Sequence, residues 1–420
     1  MNRDTEYIFG YPAVQEKIGP EEIWAGNPGP RNIVLYIHIP FCKSICKFCP
    51  FTKYPWQPPL VEQYLGALKK EIAMIAAKPA MQDAHIEAVF FGGGSPSCLS
   101  GEQLNDILGY CFQQFRIDTR AEITAEANPD IIAGAKDVGS EKLDAFLRAG
   151  VNRISFGVQS FDNQVLHLLG CNHTGAQAAE ALRLAFNAGF TNVGLDLLYR
   201  IPGQTLFQWL EQLQYAVNLN ASHITIPELS IDPRTRFYEE LQQGKIPPQP
   251  GEEQTIAMYE KGCELLAGSS YRHYNLGYDF ALAEKECLYH RANWEAPQKE
   301  TLGIGAGAYS YINGTTYFNI APLTDYIQCV LAGSLPTAAG KRLTKNEMMA
   351  RYMVHGVYFI RVNKKSFSEQ FGVSLDQVYG DVIRKLAELG WLIDNPGEII
   401  LTSKGKLYIN NISKAFYEVL

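Results

Sequence analysis

No stretch of the 420-residue chain approaches the ~20 consecutive apolar residues of a membrane-spanning helix. Basic residues are not in excess either. The 37 Lys and Arg against 44 Asp and Glu leave a net charge of −7, which argues against a nucleic-acid partner, because phosphate binding needs a basic surface. Internal repeats and low-complexity tracts are missing, which excludes solenoid and fibrous architectures. The first residues, Met1-Asn2-Arg3-Asp4-Thr5-Glu6, carry acids where a secretory signal would need an apolar core. The nine cysteines are odd in number and irregularly spaced, which fits reduced thiols better than a disulfide framework. These absences predict a cytoplasmic protein with no membrane partner. With 46% hydrophobic and 19% charged residues, the chain is ordinary globular material, long enough for one large domain and one or two smaller ones.

Three of the cysteines are grouped. Cys42, Cys46 and Cys49 stand in Tyr36-Ile-His-Ile-Pro-Phe-Cys-Lys-Ser-Ile-Cys-Lys-Phe-Cys-Pro50, directly after an apolar run that reads as a β-strand. Soft thiolate suits zinc and iron–sulfur clusters alike. A structural zinc would want a fourth Cys or His close by; His38 points along the strand and Cys98 is far along the chain. Three thiolates can instead hold a [4Fe–4S] cluster and leave one iron open. That position suits chelation by the amino and carboxylate groups of S-adenosylmethionine (SAM), whose sulfonium is then cleaved by electron transfer, chemistry that belongs to the cofactors. Incidental core cysteines are the remaining alternative.

β-rich apolar runs at 34–39, 88–91, 121–125, 153–158, 192–198 and 223–229 alternate with helical patterns such as 60–77, 174–188 and 206–219. Right-handed crossovers between such units predict a parallel sheet curled into a partial (β/α)6 barrel of the TIM type, with its chemistry at the C-terminal strand ends. The second strand ends in Phe91-Gly-Gly-Gly-Ser-Pro96, where Gly92, Gly93 and Gly94 allow close backbone approach to a ligand, or only a tight turn. Glu126 ends the third strand and could bind ribose or ammonium groups, or cap a helix. Gln159 ends the fourth with an amide that donates and accepts. Asp196 lies within the apolar fifth strand, where a carboxylate is costly unless paired. Glu228 ends the sixth as a proton acceptor or a rim charge.

The cysteine spacing after a strand is the mark of the radical SAM superfamily, and the chain resembles it. Within it, Tyr36-Ile-His-Ile-Pro-Phe-Cys42, Gly92-Gly-Gly-Ser-Pro96, Gly157-Val-Gln-Ser-Phe161, Asp196-Leu-Leu-Tyr-Arg-Ile-Pro-Gly203 and Leu302-Gly-Ile-Gly-Ala-Gly-Ala308 resemble the oxygen-independent coproporphyrinogen III oxidase (HemN-like) family. That family includes haem chaperones, haem-opening methyltransferases and class C radical SAM methyltransferases and cyclopropanases. The resemblance runs from about residue 5 to the C-terminus. It implies a [4Fe–4S] cluster on Cys42, Cys46 and Cys49 and two SAM molecules. Tyr36, Phe48, Gly92, Gly93, Gly94, Glu126, Gln159 and Asp196 would contact the first; Leu229, Ser230, Ile231, Ile304, Gly305 and Ala306 would line the second. A flavodoxin- or ferredoxin-type electron donor and a small aromatic, heterocyclic or tetrapyrrole substrate follow as implied partners.

The chain departs from the oxidase pattern in two places. Cys49-Pro-Phe-Thr52 stands where the oxidase has a Cys-Gly-Cys run, and Cys171 stands where the family often has an Arg suited to clamping a carboxylate. Those departures favour methylation or cyclopropanation of an sp² carbon by the second SAM, with Glu228 or Tyr309 as the base. Oxidative decarboxylation of a porphyrinogen is the alternative, and a haem chaperone without turnover is a further one. The organisation expected is an N-terminal extension (1–32), the barrel (33–243), a linker and substrate-covering segment (244–340) and a C-terminal α+β, winged-helix-like domain (341–420). In the covering segment, Tyr271–Tyr278 and Tyr289–Trp294 are read as a platform for a flat substrate, or as tyrosines packed against the barrel.

Overall fold

A computed structural model describes residues 3–4, 11, 16–26, 28–275 and 278–417. Part of the expected N-terminal extension, and Leu276 and Gly277 of the expected platform, lie outside the described residues.

Six parallel strands form the barrel: β1 (Arg31–Ile39), β2 (Ala84–Gly93), β3 (Arg116–Ala127), β4 (Arg153–Gln159), β5 (Val193–Leu197) and β6 (His223–Thr225). They hydrogen-bond in sequence order, as serial right-handed βα units require. Strands covered on both faces read as near-continuous apolar runs, and Ile33, Leu35, Ile37, Val89, Phe91, Ile154, Phe156 and Leu195 all lie in one core cluster with the surrounding helices. Side-chain caps fix where those helices start. Ser100, Thr174 and Thr205 each accept from the backbone three residues on, with a Gln returning the bond. Gly150 and Gly189, both left-handed, end two of them.

The segment after the barrel does more than cover it. β7 (Arg272–Asn275) and β8 (Asp279–Ala281) add antiparallel to β6 at one edge. At the other edge β9 (Glu300–Ile304) pairs parallel to β1, followed antiparallel by β10 (Tyr309–Ile312), β11 (Thr315–Asn319) and β12 (Thr337–Arg342), giving a twelve-stranded sheet. The helix Leu288–Trp294 closes the barrel at the N-terminal ends of its strands. Leu288 N donates to Glu122 at 3.0 Å, Tyr289 stacks on Phe90 and Tyr36, and Ala292 packs on Val34 and Ala88. Tyr289 and His290 are therefore part of the barrel floor, the packing alternative rather than a substrate platform.

From Lys345 the helices Lys345–Gly356, Lys364–Phe371 and Leu375–Glu388 precede a hairpin, β14 (Leu392–Asp394) and β15 (Glu398–Leu401), which pairs with β13 (Arg361–Asn363). This winged-helix-like unit has its own apolar cluster built on Tyr352, Phe367, Tyr379, Ile383 and Phe416. Arg351 fastens it to the rest by donating to the Tyr309 hydroxyl at 2.9 Å and to the Tyr11 carbonyl at 3.3 Å.

Outside the barrel, Trp209 is fully buried and donates from Nε1 to the Met258 carbonyl at 2.9 Å, joining the helices Leu206–Asn218 and Glu252–Gly268. Trp209→Ala removes that bond and leaves a cavity. We expect a loss of about 3–5 kcal/mol, read as a lowered urea midpoint at unchanged slope.

Candidate functional site

The cysteine loop is held from both sides by backbone. Gly94 N donates to the Ile39 carbonyl and Ser95 N to the Phe41 carbonyl, each at 2.8 Å, so the turn after β2 is seated on the chain entering the loop. Lys47 N donates to Leu169 O at 2.9 Å on the opposite flank, and Phe237 N to Lys47 O at 3.1 Å. The three glycines owe their place to this seating. A Cβ on Gly94 would lie 2.7 Å from the Phe41 carbonyl oxygen, one on Gly93 (φ +112°) 2.5 Å from the His38 ring, and one on Gly92 3.0 Å from both Glu126 Oε2 and Tyr36. At all three positions a side chain would collide with the protein's own atoms, which is why only glycine fits there.

Cys42 is buried, whereas Cys46 and Cys49 are half-buried. Burial, then the charges of Cys98, Cys49 and Cys46, pushes the Cys42 thiol up to about 12. Cys98 is thus folded into the neighbourhood of the loop despite its distance in sequence. The geometry bears on which group these thiols suit. Sulfurs around one tetrahedral zinc, each bonded at about 2.3 Å, lie under 4 Å apart. Among the described residues, the donors gathered within 4.8 Å of one another are those of His223, Asp279 and His290, and the loop cysteines are not so gathered. His38 is buried, which holds its imidazole down to about 4, and its Nδ1 lies 3.1 Å from the Tyr36 hydroxyl. Three thiols on one loop, spread wider than a single ion allows, fit a cluster.

Beside the loop stand two acids. Glu126 accepts from Gly93 N at 3.2 Å. Burial, then the charge of Asp196, pushes its carboxyl up to about 7. Burial, then the charge of Asp279, pushes Asp196 up to about 6. Gln159 ends β4 with φ +64°, a left-handed conformation that costs an ordinary residue energy and recurs at ligand sites. A Cβ on Gly157 would lie 2.9 Å from its Nε2. Tyr36, Gly92, Gly93, Gly94, Glu126, Gln159 and Asp196 therefore converge on the C-terminal side of the barrel. Phe48, Leu229 and Ile231 share a separate apolar cluster with Cys171, Leu169 and Leu198. Ile304 and Ala306 belong to the main core instead, Gly305 is buried beside them, and Ser230 is exposed. No hydrogen bond or shared apolar cluster among the described residues joins 229–231 to 304–306.

The two residues expected as bases are otherwise engaged. Glu228 accepts from Arg3 Nη1 at 2.8 Å, Arg200 Nη1 at 2.7 Å and the Tyr199 hydroxyl at 3.3 Å. Its carboxylate fastens the N-terminal segment to the rim, with no oxygen left over for a substrate proton. Tyr309 is held by Arg351, and burial raises its phenol, the wrong direction for a base.

Sequence reasoning missed three arrangements. Cys171 Sγ lies 3.9 Å from Cys46 Sγ, across 125 positions. Glu71, 1% exposed, accepts from Gly305 N at 2.9 Å, Asn319 Nδ2 at 2.6 Å and the Tyr326 hydroxyl at 2.5 Å, so the glycine turn after β9 rests on one buried acid. An acid among Leu68, Ile72 and Ile75 on an apolar helix face was the available signal. Third, Arg153 lies fully buried on the floor within electrostatic reach of Cys287, Glu122, Tyr274 and Asp279. His290 donates to or accepts from Asp279 at 3.0 Å there. An adjacent guanidinium opposes a metal ion among these groups, which close the barrel as an ion-pair network.

Comparison with known proteins extends this picture. A family model described as the radical SAM superfamily matches residues 36–216, and one described as the HemN C-terminal domain matches 343–408. The protein named heme chaperone HemW from Bacillus subtilis is 35% identical over 385 residues, covering 91% of this chain and 98% of its own. The HemW of Lactococcus lactis is 30% identical over 387 residues, covering 91% and 96%. Among solved structures, Escherichia coli coproporphyrinogen III oxidase (HemN), described as a radical SAM enzyme, superposes with a TM-score of 0.84 at 25% identity over 99% of this chain and 98% of that one.

Two predictions follow from the site. Replacing Cys42, Cys46 and Cys49 together by Ala should abolish iron and sulfide uptake on anaerobic reconstitution and leave the far-ultraviolet circular dichroism unchanged. Second, burial pushes Glu71 up to about 7 from its ordinary 4.5. A carboxyl raised by folding contributes stability that is whole below its unfolded value and lost as pH rises through its folded value. Stability should therefore fall between pH 4.5 and 7, by an amount on the order of 3 kcal/mol, and Glu71→Gln should flatten that limb in urea titrations.

Proposed function

Because the chain belongs to the HemN/HemW family of the radical SAM superfamily, we propose that it handles haem, binding it on a radical SAM scaffold, rather than methylating a small molecule. The observation that carries this reading is the likeness, along nearly the whole chain, to relatives named as haem chaperones. Methyl transfer or cyclopropanation, favoured by the sequence, gains no support from these relatives, whose names concern haem or coproporphyrinogen. Glu228 and Tyr309, the bases named for that reading, are engaged with Arg3, Arg200 and Arg351.

In the proposed arrangement Cys42, Cys46 and Cys49 hold a [4Fe–4S] cluster. When bound with SAM, that group supplies the electron that cleaves the sulfonium. The residues of the chain have defined parts. Glu126 and Asp196, acids without a cation at hydrogen-bond distance, accept from ammonium or hydroxyl groups. Gln159 offers an amide from a fixed backbone, and Tyr36 with the Gly92–Gly94 turn closes the wall. Phe48, Leu229 and Ile231 present the adjoining apolar surface.

The near-complete superposition on HemN keeps oxidative decarboxylation as a second reading. One experiment separates them. Reconstituted protein titrated with haem should show saturable binding by its Soret band, and with SAM, reductant and coproporphyrinogen III should release no carbon dioxide. Carbon dioxide release coupled to SAM cleavage would establish the oxidase reading, and label passing from the SAM methyl group into a product would establish methyl transfer.

A further inference from the structure

We propose that Cys46 and Cys171 form a reversible disulfide in the cluster-free protein, a modification site that withdraws Cys46 from cluster binding until it is reduced. The proposal rests on the reading of Cys46 as a cluster ligand.

The two sulfurs are 3.9 Å apart, against about 2.05 Å in a disulfide, so the bond forms if they close by about 2 Å. Their approach is built into the backbone. Cys171 follows the helix Asn163–Leu169 and its left-handed cap Gly170, and donates from N to Leu166 O at 2.9 Å. The same helix end receives Lys47 N on Leu169 O, and a Cβ on Gly170 would lie 2.7 Å from Lys47 Cγ and 3.2 Å from Lys47 N. Residues 46–47 and 169–171 are thus held side by side by contacts that involve neither thiol. Cys46 itself lies in a stretch of loop with no helix or strand hydrogen bonding, free to turn its side chain. Both thiols are half-buried, and both line a small cavity of about 40 Å³ with Ser44, Asp130, Gln159 and His173. Cys42 and Cys98, by contrast, are buried.

The oxidant is a low-molecular-weight disulfide such as glutathione disulfide. One cysteine, as thiolate, attacks a glutathione sulfur and expels one glutathione. The other then attacks the mixed disulfide and expels the second. One S–S bond breaks and one forms, the two cysteines lose two electrons to glutathione, and their two protons end on the two glutathione thiols. A thiol reductant runs the exchange backwards.

Glutathione disulfide added anaerobically to cluster-free protein, followed by alkylation and tryptic mapping without reduction, tests the pairing. Lys43 and Lys47 place Cys42, Cys46 and Cys49 on separate peptides, so the partner of Cys46 is unambiguous. The expected result is a Cys46–Cys171 linked peptide that dithiothreitol dissolves, and loss of most iron and sulfide uptake until it is dissolved. In Cys171→Ser, Cys46 should carry glutathione instead. Linkage of Cys46 to Cys42 or Cys49, alkylation of both Cys46 and Cys171, or full iron uptake by the cross-linked protein would each overturn the proposal. Reduced wild-type protein that takes up no cluster would overturn the ligand reading on which it rests, a result distinct from the mapping.

Discussion

The seating of the β2 turn on the cysteine loop is the contact on which the site depends. Two backbone bonds, from Gly94 and Ser95 to Ile39 and Phe41, join the ends of adjacent strands just where one of them releases the chain into the loop. Backbone bonds of this kind cannot be remade by a side chain of different length, and no Cβ fits between the strands at Gly93 or Gly94. The loop therefore leaves the barrel in one direction. Its far side is set by Lys47 on the helix end at Leu169. Cys42 is fixed by the first contact and Cys46 by the second, which is how a loop with little regular structure presents three thiols in a repeatable arrangement.

Charge is distributed unevenly along the barrel axis. On the floor, Arg153 and His290 stand against Glu122 and Asp279; there His290, lowered by burial but raised more by Asp279, rests above its ordinary value. At the mouth, burial lifts the carboxyls of both Glu126 and Asp196, helped at Glu126 by the charge of Asp196 and at Asp196 by that of Asp279. Buried acids without a paired cation are expensive, and a positively charged ligand entering from the C-terminal side would relieve that cost. The floor is electrically closed and the mouth is not. This asymmetry matches the division between stability and chemistry at the two ends of such barrels.

The six barrel strands were legible because parallel strands covered on both faces are written as apolar runs. Their limits were less so. β3 begins at Arg116 through Ile-Asp-Thr-Arg, a polar opening that reads as loop, yet pairs with β2 from His85. The antiparallel strand β10, which carries Tyr309 and Tyr311, read as a glycine turn with phenols beside it, since one face alone carries the pattern. The candidate site residues at strand ends were legible by position. Cys171 and Cys98 were not, because nothing local marks a thiol that meets the loop only after folding. The engagement of Glu228 and Tyr309 was not legible for the same reason: Arg3, Arg200 and Arg351, which engage them, come from remote segments.

Those three arginines bear on what the protein does. Arg3 and Arg200 use the rim acid Glu228 to moor the N-terminal segment, and Asp4 next to Arg3 meets Asn411 and Lys414 of the last helix. Arg351 ties the winged unit to Tyr309 and to the Tyr11 carbonyl. Glu228 and Tyr309 are thereby spent on holding three parts of the chain together. At Cys171 a thiol faces the Cys46 thiol, 3.9 Å away, rather than a cation. The rim acid and the phenol thus hold segments together, while Glu126 and Asp196 remain the acids without a cation partner at the mouth.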